Sequence, residues 1–469
     1  MLKNVVTILL VLCLLLFPLT GCQQQGREEN KGTETPADDS GKAADSTKEV
    51  VELEILTWWA AGERNAGEAI IEEFDKSRDD IIVHATFTPY EEYASKLNTL
   101  MAASSPPDVF YLNEYLCNEW GEKGVAADLK PFMDKNNIDP YKIFVESAIF
   151  STGDSIWAIS SSLATIFMYY NKGLFEANGI EPPPRDAEKP YTWDEFVEVA
   201  KKLTVDINGK RPGEPGFDVN SIKTYGAITQ PNQWLYLSPL LYTNGIGFAS
   251  DDGYELAITS QKGIEVLKAL DDLVNVHMVS PSIAMIEGLP ELSTMLMNDQ
   301  VAMYISGSWE YTIFADAGYD VGVAAVPMFE KPSNMVWASA FMMAKETKHP
   351  DEAFDLLMTM ADYNYAVEVT KARGLSAPNL PNLLSSYNDI DKLTAWAGNY
   401  NEDFQALVPG QMTKVARTGE CITLKNFGMI VEQTIMPHLD KLWLGEMTPE
   451  EVVKGLDEKC AEYLKGSWK

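Results

Sequence analysis

The chain is poor in the residues that carry most metal and nucleic-acid chemistry. Its 469 residues include four histidines and five cysteines. His84, His277, His349 and His438 show no HExxH or His/Cys spacing, so the sequence offers no zinc site. Five cysteines are too few for a disulfide scaffold. Cations are also scarce: 37 Lys and Arg stand against 69 Asp and Glu, a formal net charge of −32. Phosphate backbones and anionic bilayer surfaces are gripped by clustered Lys and Arg, so neither nucleic acid nor a lipid surface is an expected partner of the body. Gly41-Lys42 and Gly209-Lys210 lack the glycine spacing and the Ser/Thr of a phosphate loop. Ser306-Gly307-Ser308 is not a nucleophile elbow. The carboxylate pairs Glu72-Glu73, Asp79-Asp80 and Glu91-Glu92 lie on or beside amphipathic helices and read as solvated faces. A glycosidase would need two carboxylates about 5–10 Å apart across a cleft, and no pair is singled out. No catalytic residue, metal or cofactor is expected.

What is present is ordinary globular material: 46% hydrophobic and 23% charged residues, enough to bury a sizeable core. The length corresponds to about three domains. The N-terminus is different. Lys3 precedes an apolar run, Val5 to Phe17, broken only by Thr7. That run is shorter than the roughly 20 residues a spanning helix needs, and it fits a secretory signal. Leu19-Thr20-Gly21-Cys22 then looks like a bacterial lipobox, in which Cys22 carries the lipid anchor. Gln23 to Glu49 has no aromatic residue and reads as a disordered tether. The expected location is therefore the outer face of the cytoplasmic membrane. Cys117, Cys421 and Cys460 remain in the body, either as one disulfide with a free thiol or as three buried thiols.

From Val51 the pattern alternates strand and helix. Val51, Leu53 and Ile55 alternate with Glu52 and Glu54. Ala66, Ile70, Ile71 and Phe74 recur at helical spacing, and Ile81 to Phe87 is strand-like. A second helix carries Tyr93 and Leu97, and Asp108 to Leu112 is a third strand. This order predicts an α/β fold with mainly parallel sheets flanked by helices. Further strands are expected at Ile166 to Tyr170, Val301 to Ser306, Val321 to Val326 and Val336 to Ala344. Thr192-Trp193-Asp194-Glu195 is a capping box, which makes Trp193 a structural residue. Leu383 to Ile435 has no clear period.

Ligands of open α/β sheets bind beyond the carboxyl ends of the strands. Beyond the first strand come Trp58, Trp59 and Glu63, and beyond the third come Asn113, Glu114 and Tyr115. Two adjacent tryptophans cannot both face one core, so each of Trp58 and Trp59 is either presented to a ligand or packed under a loop. Gly307-Ser308 places Trp309 at the mouth of a sheet.

The ordered blocks Tyr169-Tyr170-Asn171-Lys172-Gly173-Leu174-Phe175, Thr192 to Phe196, Asn298 to Trp309, Val321 to Pro327 and Lys348 to Ala353 resemble those of extracellular solute-binding proteins of the sugar-binding group, the receptor lipoproteins of ABC importers. The resemblance implies a two-lobed periplasmic-binding-protein-like fold of type II. It places one lobe at 50–163 plus about 340–385 and the other at 164–337 plus about 386–469, after a 1–21 signal and a 22–49 tether. By the same resemblance the chain crosses the hinge near Ser160 to Thr165, near Trp337 to Phe341 and in the Leu380 to Ile390 region. The implied partners are a carbohydrate ligand and the permease subunits, with the protein itself a monomer.

The resemblance marks Trp309 as a sugar-stacking residue and adds Trp337 and Ser339 at the second crossing. Trp234 and Tyr236 are either ligand contacts or core residues. Arg373 either reaches the ligand or pairs with a carboxylate. A pyranose offers an apolar face to aromatic rings and hydroxyls to Asn, Asp, Glu and Arg, which agrees with this set. One departure is Ala164, where maltose-type receptors carry an acid. A polyamine, a polyol phosphate or a metal is the alternative solute for the same fold.

Overall fold

The computed structural model describes residues 50–59, 61–286, 288–375, 379–389 and 401–468. The signal segment, Cys22 and the tether lie outside the described residues. Glu49–Lys469 forms one compact unit. It holds two large sheets rather than the three domains that length suggested.

The first sheet has the order β2-β1-β3-β12-β5-β4. Its strands are β1 (Val51–Thr57), β2 (Ile81–Phe87), β3 (Val109–Leu112), β4 (Ile149–Thr152), β5 (Ser155–Ile159) and β12 (Ala340–Met343). In β1 the alternation resolves as expected, with Leu53 and Ile55 buried and Glu52 and Glu54 exposed. The helix α1 (Ala61–Ser77) buries Ala66, Ile70, Ile71 and Phe74 on this side of the core. Full burial of each large apolar side chain contributes roughly 1.5–3 kcal/mol. The second sheet runs β10-β6-β11-β13, with β9 also paired to β6. These are β6 (Ala164–Tyr170), β9 (Met303–Gly307), β10 (Gly322–Ala324), β11 (Asn334–Trp337) and β13 (Ala416–Thr418). A small hairpin, β7 (Val205–Asp206) with β8 (Ile222–Thr224), stands apart.

The sheets are mixed, which corrects the expectation of mainly parallel pairing. β1 pairs parallel with β2 and β3, but β12 is antiparallel to β3 and β5. In the second sheet β6 is antiparallel to β9, β10 and β11. The cause is the crossing. β5 leaves the first sheet at its carboxyl end, and after four intervening residues the chain enters the second sheet as β6. A strand arriving from the cleft starts at the cleft and must oppose strands that end there. The return obeys the same rule: β11 ends at Trp337 and β12 begins at Ala340. The run Val336 to Ala344, expected as one strand, is therefore two strands in two sheets.

These passages, 160–163 and 338–339, match the first two expected crossings. They are tied together by short polar contacts. Ser160 Oγ donates to the Ser339 carbonyl at 2.9 Å. Asn382 Nδ2 donates to the carbonyls of Ser160 and Ala361 at 2.5 and 2.9 Å. Leu380 and Leu383 still bridge Leu163 and Phe144, whereas Asn401 bonds Tyr311 and Val321 beside the second sheet. Residues 390–400 between them lie outside the described residues.

The capping box forms: Glu195 N donates to Thr192 Oγ1 at 3.2 Å and Thr192 N to Glu195 Oε2 at 2.8 Å. Trp193 stacks on Phe329 with centroids 4.7 Å apart, a packing role. Cys117, Cys421 and Cys460 are buried free thiols. The stretch without a clear period contains the helix Glu402–Gly410, with Pro409 inside it, and a π-helical segment, Gly428–Ile435.

Candidate binding cleft

The carboxyl ends of β1, β3, β9 and β11 meet around a cleft of about 420 Å³. This lies within the roughly 300–1,000 Å³ usual for ligand sites. A larger groove of about 840 Å³ runs past Phe74, Lys142 and Phe354, on outer helices and loops rather than at the strand ends.

The sequence-expected residues divide clearly. Trp58, Glu63, Asn113, Glu114, Tyr115, Trp234, Trp309, Trp337 and Ser339 line the cleft. Trp59, Tyr236 and Arg373 do not. Trp58 turns into the cleft, packed edge-on against Tyr90 and Tyr93. Its neighbour turns the other way. Trp59 packs on Phe87, Tyr111 and Phe341, over Gly67 of α1, where a Cβ would fall 2.0 Å from the indole. The Tyr236 hydroxyl lies 3.4 Å from Ser306 Oγ inside the core. Arg373 pairs with Glu72 at 2.7 Å and Glu73 at 2.6 Å, so its guanidinium is held on α1.

Three indoles form one face. Trp234 and Trp309 each meet Trp337 edge-on, at 6.3 and 5.9 Å. Trp309 lies directly over Gly307, where any Cβ would come within 2.1 Å of its ring. That is why a glycine ends β9. Ser308 Oγ donates to Asn379 Oδ1 at 2.6 Å, fixing the turn that presents Trp309.

The opposite face is polar. Asn113 precedes α2 (Glu114–Glu122) and donates to the hydroxyls of Tyr115 at 3.0 Å and Tyr90 at 3.3 Å. Glu114, 5% exposed, accepts from Ser339 Oγ at 3.0 Å. Burial pushes its carboxyl up to about 7, against the pull of its own N–H and of the Ser339 hydroxyl, and the Glu432 charge adds to the rise. Glu432 accepts from Trp234 Nε1 at 2.6 Å and Tyr115 OH at 3.3 Å. Its carboxyl is also raised by burial, in spite of these two donors. Ala164, the departure noted in the sequence, lines the same cleft.

Sequence reasoning missed Tyr90, Tyr111, Asn379 and Glu432. Tyr90 and Tyr111 were hidden inside elements read only for periodicity. Glu432 sits in the π-helical segment, where the 3.6-residue period fails; such segments are frequent at functional sites. The described residues hold no group of three or more His, Cys, Asp or Glu able to bind a metal. No described helix is long and apolar enough to cross a membrane.

Two α/β sheets with a cleft at their strand ends define a hinge-type ligand receptor. Residues 60–363 match the family model for bacterial extracellular solute-binding proteins, and the chain belongs to that family. Its members bind solutes for transport rather than transform them. An uncharacterized ABC transporter extracellular-binding protein of Pyrococcus horikoshii is 25% identical over 343 residues, 69% of each chain. The galactooligosaccharide-binding protein of Bacillus subtilis is 20% identical over 347 residues, 72% of this chain and 74% of its own. The fold is shared with an ABC substrate-binding protein of Listeria monocytogenes solved with cycloalternan. The TM-score is 0.74 at 23% identity, covering 88% of this chain and 99% of that one.

Proposed function

We propose that the protein captures a mono- or oligosaccharide in this cleft and delivers it to the permease of an ABC importer. The observation that carries the reading is the pairing of an indole face, Trp234, Trp309 and Trp337, with a hydroxyl-binding face of Asn113, Glu114 and Tyr115. A sugar ring has an apolar face for the first and hydroxyls for the second. A relative named for a galactooligosaccharide and a neighbour solved in complex with cycloalternan support the same class. The reading includes lipid anchoring at Cys22, the 22–49 tether, a monomeric state and two lobes divided at 163/164 and near 340 and 385.

A second reading, a polyamine in the same cleft, is favoured by the carboxylates Glu63, Glu114 and Glu432. A thermal-shift screen of Glu49–Lys469 against sugars and spermidine separates the two. A ligand at 100 times its dissociation constant adds about 2.7 kcal/mol of stability. A shift with one sugar class supports the proposal; a shift with spermidine alone replaces it by the second reading.

A further inference from the structure

Among the described residues, all the charge lining the cleft has one sign. Glu63 enters from α1, Glu114 from α2 and Glu432 from the π-helical segment, and no Lys, Arg or His is among the described lining residues. The nearby sequence positions Ala60 and 376–378 (Ser-Ala-Pro) are uncharged as well. Cations on the surrounding elements are engaged elsewhere. Arg64 of α1 pairs with Glu68 at 2.8 Å and lies over the Phe87 ring, and Arg373 is held by Glu72 and Glu73. Arg417 lies over Tyr242, outside the lining.

A sugar bearing a carboxylate or a phosphate would lose its water here and gain no counter-charge. It would also face Glu114 and Glu432 directly. A neutral sugar meets no such penalty. A sugar bearing an amine gains twice, from charge-assisted hydrogen bonds to the carboxylates and from the indole and phenol faces around them. Resting on the carbohydrate reading, we infer that the cleft sorts sugars by charge, taking amine-bearing sugars ahead of their neutral counterparts and rejecting uronates and sugar phosphates, with Glu114 and Glu432 as the specificity-determining residues.

Among the described residues, the groups facing these two carboxylates are the hydroxyls of Ser339 and Tyr115, the Trp234 indole, the phenols of Tyr90 and Tyr111, the thiols of Cys117 and Cys421, and each other. None is a cation, so a bound ammonium would be their first positive partner. Both carboxyls lie above the ordinary range through burial. An ammonium that draws them back into the ionised form releases protons on binding, which a neutral sugar does not.

The test is calorimetric titration of Glu49–Lys469 with neutral, amine-bearing and uronate forms of α- and β-linked gluco- and galacto-trisaccharides, in buffers of different ionisation enthalpy. The expected result is an amine form bound roughly tenfold or more tighter than its neutral partner, with proton release, and no uronate binding. In the double variant Glu114→Gln, Glu432→Gln the ratio of amine-form to neutral-form affinity falls to near unity, and that ratio is the readout because Glu114 also contacts the neutral sugar's hydroxyls. Uronate binding equal to neutral binding overturns the inference and leaves the carbohydrate reading intact. So does an amine advantage that survives the double variant. Binding of spermidine but of no sugar in the panel overturns the carbohydrate reading, and the inference with it.

Discussion

The wall that follows β1 and β3 offers Glu63, Asn113, Glu114 and the hydroxyls of Tyr90 and Tyr115, whereas the wall around β9 and β11 offers Trp309, Trp337 and, from its helix, Trp234. Neither wall is pure: Trp58 stands among the polar groups, and Glu432 and Asn379 among the indoles. The polar wall is assembled by directional hydrogen bonds, such as Asn113 to Tyr115 and Ser339 to Glu114. The indole wall is assembled by rings packed on rings. The difference teaches that removing one indole damages both wall and ligand contact, while removing one polar group alters selectivity and leaves the wall standing.

The largest break in this comparison comes from Trp337→Ala. Trp337 is 6% exposed and supports both other indoles. Its truncation is expected to cost about 3–5 kcal/mol in urea denaturation and to abolish measurable sugar binding. A loss under about 1 kcal/mol would show that the indoles are not one packed unit.

A smaller effect belongs to Glu114. Its carboxyl sits at about 7 in the fold against 4.5 when unperturbed, so the folded state holds the proton more tightly. The stability this provides is fully present below about pH 4.5 and is lost as pH rises through about 7. The loss is at most about 3 kcal/mol. Glu114→Gln lacks this slope, so its stability relative to the parent protein is expected to rise between pH 5 and 8. Parallel pH curves for the two proteins would show that the burial is relieved.

Trp309→Ala sharpens the contrast within the indole wall, because Trp309 is only partly buried. Sugar affinity is expected to fall about 10- to 100-fold, or about 1.4–2.8 kcal/mol, with a smaller change in folding stability than Trp337→Ala gives. Unchanged affinity would remove the stacking role. Arg373→Ala should change affinity less than about twofold, since its partners are Glu72 and Glu73 outside the cleft. A tenfold loss would bring Arg373 back into the site.

Much of the site was legible because it follows a local rule. Strands of recognisable pattern end at Thr57, Leu112 and Gly307, and ligand residues come next in the chain. The capping box at Thr192 was legible for the same reason, since its two hydrogen bonds join residues three apart. The mixed sheets were not legible. Strand direction depends on which end of β6 and β12 meets the cleft, and no residue in either strand encodes that.

By itself the sequence determined the strand–helix order, the acidic balance and the presence of Trp58, Glu114 and Trp309 just beyond strand ends. These depend on periodicity and neighbours, which act over a few residues. Only the tertiary structure decided that Trp58 faces the cleft and Trp59 the core, because Gly67 of α1 leaves room for one indole. It likewise split the apolar run at Ala338-Ser339 between two sheets and drew Arg373 onto Glu72 and Glu73. It also brought Glu432 to within hydrogen-bond reach of Tyr115, 317 positions away in the chain. Such choices are settled by packing and charge between distant segments, and these come together only when the chain is folded.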